Sequence, residues 1–224
     1  VKKYTLKNKY INMKLIVTSD LHLTDKPEDE YRFDFIKYLT NMIIKRKIDY
    51  LFILGDLTDE KDRHSAKLTN RIVSNFFCIA DNCNIVILKG NHDYYTPEWP
   101  FFYFLQEHEN IDFISNSPIH IKIDENTNCL ALPHTRTPET DWKDLDTSKA
   151  DYVFLHQTIE GSQSSNGFKL NGLSLNFLKT KYHNGQKWFS GDVHVPQKRG
   201  FVEYVGSPYH VHFGDNFKAR HILI

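Results

Sequence analysis

Ile85-Val86-Ile87-Leu88-Lys89-Gly90-Asn91-His92-Asp93 is the stretch around which the chain is organised. Four apolar residues make a run of buried-strand length, and it ends at Gly90 in a turn crowded with metal-binding and acid/base side chains. A chain leaving a parallel strand through a glycine turn sets its next side chains at the carboxyl edge of the sheet, where open α/β folds hold ligands. Alone, Asn-His-Asp is an ordinary turn sequence. Its weight comes from other strand ends that carry the same chemistry.

Two strand-helix units precede this stretch. Residues 14–18 are apolar and end in Ser19-Asp20-Leu21-His22; Tyr31, Phe35, Ile36, Leu39, Met42 and Ile43 then recur at helical spacing, which predicts a helix over 31–47. Residues 50–54 predict a second strand closing in Gly55-Asp56-Leu57-Thr58-Asp59. Leu68, Ile72, Val73, Phe76, Phe77 and Ala80 share one face of a second helix. Strand, helix, strand, helix, strand with short links predicts parallel strands joined by right-handed crossovers. Downstream, 97–104 is aromatic-rich and reads as a short helix. Short β-like runs follow at 111–114, 119–123 and 129–132. Residues 151–155 predict a buried strand ending at His156, beside a Gly/Ser/Asn-rich loop over 160–172. Strands are expected again at 187–190, 202–205, 209–213 and 218–224. There is no internal repeat. The economical architecture is α/β: a four-layer α/β/β/α sandwich of two mixed β-sheets flanked by helices.

Composition limits the function classes. The 224 residues are 40% apolar and 14% aromatic, enough for a sizeable core. Lys+Arg and Asp+Glu both number 28, so no global positive field draws the chain to nucleic acid. Cys78, Cys83 and Cys129 form no C-x-x-C pair and no even framework, which points to a reducing, cytoplasmic compartment and to no thiolate metal site. No run is long enough to span a membrane. Residues 1–12 are Lys-rich without an apolar core and read as an N-terminal extension; 13–224 read as one catalytic domain.

Asp20 and His22, Asp56, Asn91 and His92, His156, and Asp192 with His194 all fall at strand ends. A two-metal site for phosphoryl transfer uses oxygen and imidazole ligands, one carboxylate bridging ions roughly 3.5–4 Å apart. Asp20-x-His22 suits this because alternate residues of an extended segment point the same way. Each residue has a plainer role: a lone Asp after a strand commonly caps the next helix, and a lone His commonly sits on the surface. The coincidence of five such strand ends in one chain favours a site.

These blocks, together with His156-Gln157 and Gly191-Asp192-Val193-His194-Val195-Pro196-Gln197, resemble the calcineurin-like metallophosphoesterase superfamily. The resemblance runs from Met13 to the C-terminus. The Pro196-Gln197 ending, Gly206-Ser207-Pro208 and Phe213-Gly214-Asp215 resemble most the SbcD-type DNA-repair nuclease branch, catalytic core only. It implies a hydrolase of phosphodiester bonds, a DNA exo- or endonuclease using a hydroxide activated by two divalent metals. Mn²⁺ is favoured, with Fe²⁺ and Zn²⁺ as alternatives. One metal would take Asp20, His22 and His194; the other would take Asn91, His156 and Asp192, with Asp56 between them. His92 would serve the leaving oxygen as acid, and Asp93 would orient the His92 ring. The implied setting is a bacterial or phage-infected cell, with DNA as substrate and an SMC-like ATPase of the SbcC type, or a second copy of the chain, as partner. The alternative activity is hydrolysis of small nucleotides or other phosphoesters; a binding scaffold of the same fold would show eroded ligands.

Two positions depart from the resemblance. Asp192 stands where the family has a histidine, adding negative charge that favours a harder cation. Asp59 stands where many SbcD-type nucleases carry a histidine near the substrate phosphate; His64, further along the loop, is the candidate replacement. SbcD-type subunits also continue into a DNA-binding cap and an ATPase-docking segment, so selection of DNA ends is expected to be weak here.

Overall fold

The computed structural model describes residues 13–224; the expected extension over 1–12 lies outside the described residues. The first sheet has order β11-β1-β2-β3-β4, from Ile222–Leu223, Leu15–Thr18, Tyr50–Ile53, Asn84–Leu88 and Ile111–Ile114. Strands β1 to β4 run parallel and β11 pairs antiparallel to β1. The second sheet, β5-β6-β7-β8-β10-β9, comprises Ile119–Lys122, Asn128–Leu132, Tyr152–His156, Lys187–Gly191, Val202–Tyr204 and Gln197–Arg199. Its inner strands are parallel and its two edges antiparallel. Helices α1 (Glu30–Arg46) and α2 (Ala66–Ala80) join the first three strands. Short helices α3 (Pro138–Asp141) and α4 (Leu175–Lys179) lie in the second half.

Side-chain alternation along the strands creates the layers. Ile16, Leu51, Ile53, Ile85 and Ile87 meet Phe33, Ile36, Leu39, Ile72 and Phe76 of the two long helices. Their neighbours Leu15, Val17, Phe52, Leu54, Val86 and Leu88 face the other way, onto Cys129, Ala131, Phe154 and Phe189 of the second sheet. Phe52 and Phe154 meet across that interface with ring centroids 4.4 Å apart. Beyond it, Leu130, Leu132, Val153, Leu155 and Trp188 are covered by Trp142, Leu173 and Leu178. Each fully buried Leu, Ile or Phe contributes about 1.5–3 kcal/mol, so the four layers are held by three apolar seams. Both sheets are mixed and lie between helical layers, as the sequence predicts.

Three expectations change in detail. Residues 209–213 form no strand, because the Val211 and His212 N–H groups both donate to the Asp215 carboxylate at 2.9 Å. That turn leaves those groups nothing to give a ladder. The strand expected over 218–224 shortens to β11. The aromatic segment is a 3₁₀ helix over Phe101–Glu107, starting later than expected. Among the described residues no helix is long and apolar enough to cross a membrane.

Candidate metal centre

All the ligating groups converge at the carboxyl ends of the parallel strands, and the backbone there is bent to aim them. Asp20, His22, Asp56 and Asp192 have φ of 54°, 41°, 56° and 79°. Asp and His tolerate this left-handed region better than most residues, yet each such residue costs of order 1–3 kcal/mol. The neighbouring loops hold the strain. Asp20, His22 and Leu23 N–H groups donate to the Gly55, Asp56 and Leu57 carbonyls at 3.1, 3.0 and 3.0 Å, so the loops after β1 and β2 are zipped together. Arg32 of α1 donates to the His22 carbonyl, and Ser207 Oγ donates to the Asp20 carbonyl at 3.0 Å. Gly90 admits no side chain, because a Cβ there would strike Asp56 and His156.

The expected ligands fall into two linked groups. Asp20, His22 and His194 bring one ligand atom each to within 4.8 Å of one another, and so do Asp20, Asp56 and His156. His22 Nε2 lies 3.1 Å from His194 Nε2 and 3.5 Å from Asp56 Oδ2. His156 Nε2 lies 3.4 Å from Asp56 Oδ1 and 3.7 Å from Asp192 Oδ1. Asp56 therefore stands between the two groups. His156 Nδ1 donates to the Leu54 carbonyl, which leaves Nε2 as the ring atom facing the centre. One tip atom of the Asn91 carboxamide is 2.9 Å from His156 Nε2 and 3.2 Å from oxygens of both Asp56 and Asp192. An amide nitrogen satisfies those acceptors when the side chains stand alone; an amide oxygen turned to the same gap is what a cation requires. Lone pairs from carboxylates, imidazoles and one amide converging without a thiolate suit divalent cations of the Mn²⁺, Fe²⁺ or Zn²⁺ type.

Asp93 does not orient the His92 ring. Its buried carboxylate accepts from the Gly90, Asp56 and Leu57 N–H groups at 2.6, 2.9 and 2.8 Å, tying the loop after β3 to the loop after β2. His92 Nδ1 instead donates to the Asp59 carbonyl at 2.7 Å, and the His92 N–H donates to Asp56 Oδ1 at 2.8 Å. The reason is competition: three N–H groups claim the Asp93 carboxylate, which leaves the His92 ring to the carbonyl of the segment after β2. Asp59 also places its carboxylate 3.5 Å from His22 Nδ1, so it braces two imidazoles at once.

Burial and charge set the protonation pattern. Against burial, which would raise it, His156 and His22 hold the Asp56 carboxyl far below its usual range. His156 is pushed the other way: burial opposes its charge, but Asp56, Asp192 and Asp20 raise it well above an ordinary imidazole. Burial raises Asp192, only partly offset by His156 and Thr158. Burial and the neighbouring Asp56 raise Asp93 to about 6. The His22 hydrogen bond outweighs burial and lowers Asp59 to about 2. Carboxylates packed this closely, several of them buried, repel one another until cations come between them.

Other singled-out residues are placed unevenly. His64 packs its ring on Phe101 and Phe102, and its Nε2 lies 2.9 Å from Thr58 Oγ1. Tyr94, Phe101, Phe102 and Tyr103 pack inward, whereas Tyr95 and Trp99 stay exposed. His134 Nδ1 lies 3.0 Å from the Tyr94 hydroxyl, and burial lowers the imidazole to about 3. His134 and Arg136 line a cavity of about 650 Å³ that reaches Asn91 and Asp192. His212 stacks on His194 at 5.3 Å. Sequence reasoning missed Thr158, whose hydroxyl holds Asp192, and Tyr204, whose hydroxyl accepts from the Ile159 N–H at 2.8 Å and donates to the Gln157 carbonyl at 3.0 Å. Neither carries a local sequence signal, since both act from strands or loops remote in the chain.

"Exonuclease subunit 1" of Enterobacteria phage T4 is 22% identical over 93% of this chain; the chain spans 63% of that relative's length. Among solved structures, one chain superposes with a TM-score of 0.56 at 13% identity, covering 87% of this chain and 90% of that one. GAP50, described as the anchor in the inner membrane complex of Plasmodium, gives 0.51 at 14% identity over 92% and 75% of the two chains. At these identities the structures share the fold. The calcineurin-like phosphoesterase profile matches residues 13–223, nearly the whole chain, and the protein belongs to that family.

Proposed function

We propose that the chain is a metal-dependent phosphodiesterase that cleaves DNA. The observation that carries the reading is the convergence of Asp20, His22, Asp56, Asn91, His156, Asp192 and His194 around one gap, with His92 at its edge. The phage relative described as an exonuclease subunit supports a polynucleotide over small diesters. Two divalent ions in that gap, Mn²⁺ by preference, would supply Lewis acidity and lower the pKa of water. Asp20, His22 and His194 would hold one, Asn91, His156 and Asp192 the other, with Asp56 facing both sets. His92 is tied through Nδ1–H to the Asp59 carbonyl; as imidazolium it gives its Nε2 proton to the leaving oxygen and is left neutral with Nδ1–H in place. Asp93 contributes by fixing the turn that presents Asn91 and His92.

The description of the relative as a subunit also supports a partner chain, either an SbcC-type ATPase or a second copy. Three free cysteines accord with a cytoplasmic location. A second reading, hydrolysis of small nucleotides, is favoured by the balanced charge and by the 650 Å³ cavity beside Asn91 and Asp192, within the size range of small-ligand pockets.

The test is one panel in Mn²⁺: single-stranded DNA, duplex DNA, bis-p-nitrophenyl phosphate and a phosphomonoester, each against His92→Ala and Asp56→Ala. DNA cleavage lost in both variants supports the nuclease. Turnover of the small diester with inert DNA selects the second reading. No turnover of any of the four substrates overturns both.

A further inference from the structure

Two loops rise from the rim of the metal centre and end in bare phenyl rings. The first is a hairpin. Ile159 bridges Leu173 at its base, Gln163 bridges Lys169 higher up, and Ser164 N–H closes the tip onto the Phe168 carbonyl at 2.9 Å. Its root is Thr158, which takes the Leu173 N–H at 2.8 Å and donates its hydroxyl to Asp192. The second loop is the turn closed by Asp215, rooted at His212 on the His194 ring. The two loops meet: a Cβ on Gly214 would lie 3.9 Å from Asn166 Oδ1. Phe168 is 72% exposed and Phe213 is fully exposed, each within two residues of that contact.

Leaving two phenyl rings in water forgoes the free energy of burying them, so a partner that covers them gains much of it. Phe168 and Phe213 are the large exposed apolar side chains on these loops, with no exposed aliphatic neighbour to complete a surface for a protein helix. Flat, isolated rings suit flat partners. Lys169 follows Phe168, and Arg199 reaches the same hairpin through Nε to the Glu160 carbonyl at 2.6 Å. Neither has a carboxylate within ion-pair distance among the described residues, whereas Lys198 is matched by Glu203 at 3.3 Å. Aromatic faces beside uncompensated cations are the combination that binds single strands without sequence preference, bases on the rings and phosphates on the cations.

We propose that Phe168 and Phe213 form a stacking platform for a single-stranded polynucleotide leading into the metal centre from the His194 side. The platform deepens the nuclease reading above and rests on it. Bases occupy the rings, and Lys169 and Arg199 hold the phosphates between them. Because the loops are rooted on Asp192 and His194, a strand lying there delivers its next phosphodiester to the ligand cluster.

The test compares wild type, the Phe168→Ala/Phe213→Ala double variant and Phe168→Trp/Phe213→Trp. Steady-state kinetics in Mn²⁺ would use a single-stranded oligonucleotide and bis-p-nitrophenyl phosphate. Stacking worth about 1–3 kcal/mol per base predicts an oligonucleotide KM raised about tenfold or more in the alanine variant, small-diester turnover within about twofold of wild type, and recovery with tryptophan. An unchanged oligonucleotide KM overturns the platform while leaving the nuclease reading intact. Equal loss on both substrates also overturns it, assigning the rings a structural role. A wild-type dimer in sedimentation that the alanine variant abolishes would assign them to self-association instead. Wild type that turns over the small diester but not the oligonucleotide refutes the nuclease reading, and the platform falls with it.

Discussion

The five-stranded sheet delivers Asp20, His22, Asp56, Asn91 and His92 from three consecutive strand ends, backed by helices of 17 and 15 residues. The six-stranded sheet delivers His156, Asp192 and His194 from two strand ends, and its helices have four and five residues. The first half is built by repetition: each strand-helix unit buries its own face and ends in a ligand loop. The second half is built by cross-bracing, with Tyr204, Gln157, Ser190 and Thr158 hydrogen-bonded around the ligand strands. One sheet positions its ligands through local chain geometry and the other through contacts between distant segments. Substitutions in the two should therefore fail in different ways.

Asp56→Ala tests the point where the halves join. Removing the carboxylate that faces both His22 and His156 takes from His156 its main counter-charge and from His22 one that stands second to Asp59. Diester hydrolysis should fall by more than the about 10²–10⁴-fold that one proton-transfer residue supplies. Calorimetric titration should find metal binding weakened in both groups of ligands; a loss confined to one would show that Asp56 does not join them. His92→Ala comes next. It should cost about 10²–10⁴-fold in kcat with the melting temperature and metal stoichiometry of wild type, because the side chain's polar contact is one bond to a backbone carbonyl. A change in metal stoichiometry would move His92 from proton transfer to ligation.

Trp142→Ala sharpens the contrast in covering layers. Trp142 is buried on the outer face of the six-stranded sheet, where short helices give little other cover. Its removal should cost about 3–5 kcal/mol, lowering the melting temperature by about 2–4 °C per kcal/mol for a chain of this size. Chemical denaturation with an unchanged m-value would locate the loss in the folded state. Asp192→Ala should act more narrowly. With Thr158 left without its acceptor and one ligand gone, the metal concentration for half-maximal activity should rise by at least the about 10–100-fold that losing an outer partner costs. Asp192→His should restore part of it. If alanine changes nothing, Asp192 is not a ligand.

The contrast between the sheets also explains what could be read in advance. Periodicity at Tyr31–Ile43 and Leu68–Ala80 predicts both long helices because one element buries one stripe. The ligand positions are legible because glycine and acidic or imidazole residues recur where apolar runs stop. What stayed hidden depends on partners far away in sequence. The partner of His92 is a carbonyl at Asp59, and a backbone oxygen has no residue type to notice. Asp93 looks like a histidine-orienting acid by adjacency, yet three N–H groups claim it. The strand expected over 209–213 is lost because Asp215, beyond its end, takes its donors. Helices α3 and α4 are too short to show a stripe, and β9 exists because β10 offers it an edge.

The smallest effect concerns the seam between the sheets and the underside of the first. Cys129 lies buried between the sheets and Cys83 below the first, while Cys78 is exposed on α2. Burial, helped by nearby Asp151 for Cys129 and Asp49 for Cys83, pushes both thiols up to about 12. The thiolate is the reactive form. At pH 8 the native protein should therefore give one fast reaction with a chromogenic disulfide, at Cys78, and two more only on unfolding. Unfolded thiols titrate near 8.5, so the folded state binds more protons above that value. Stability is then full below about pH 8.5 and declines as pH rises toward 12. Cys129→Ala should flatten part of that alkaline decline while adding a small cavity between the sheets. Fast labelling of all three thiols in native buffer would mean that the seam opens readily, and the two sheets would then be far less firmly joined than their packing implies.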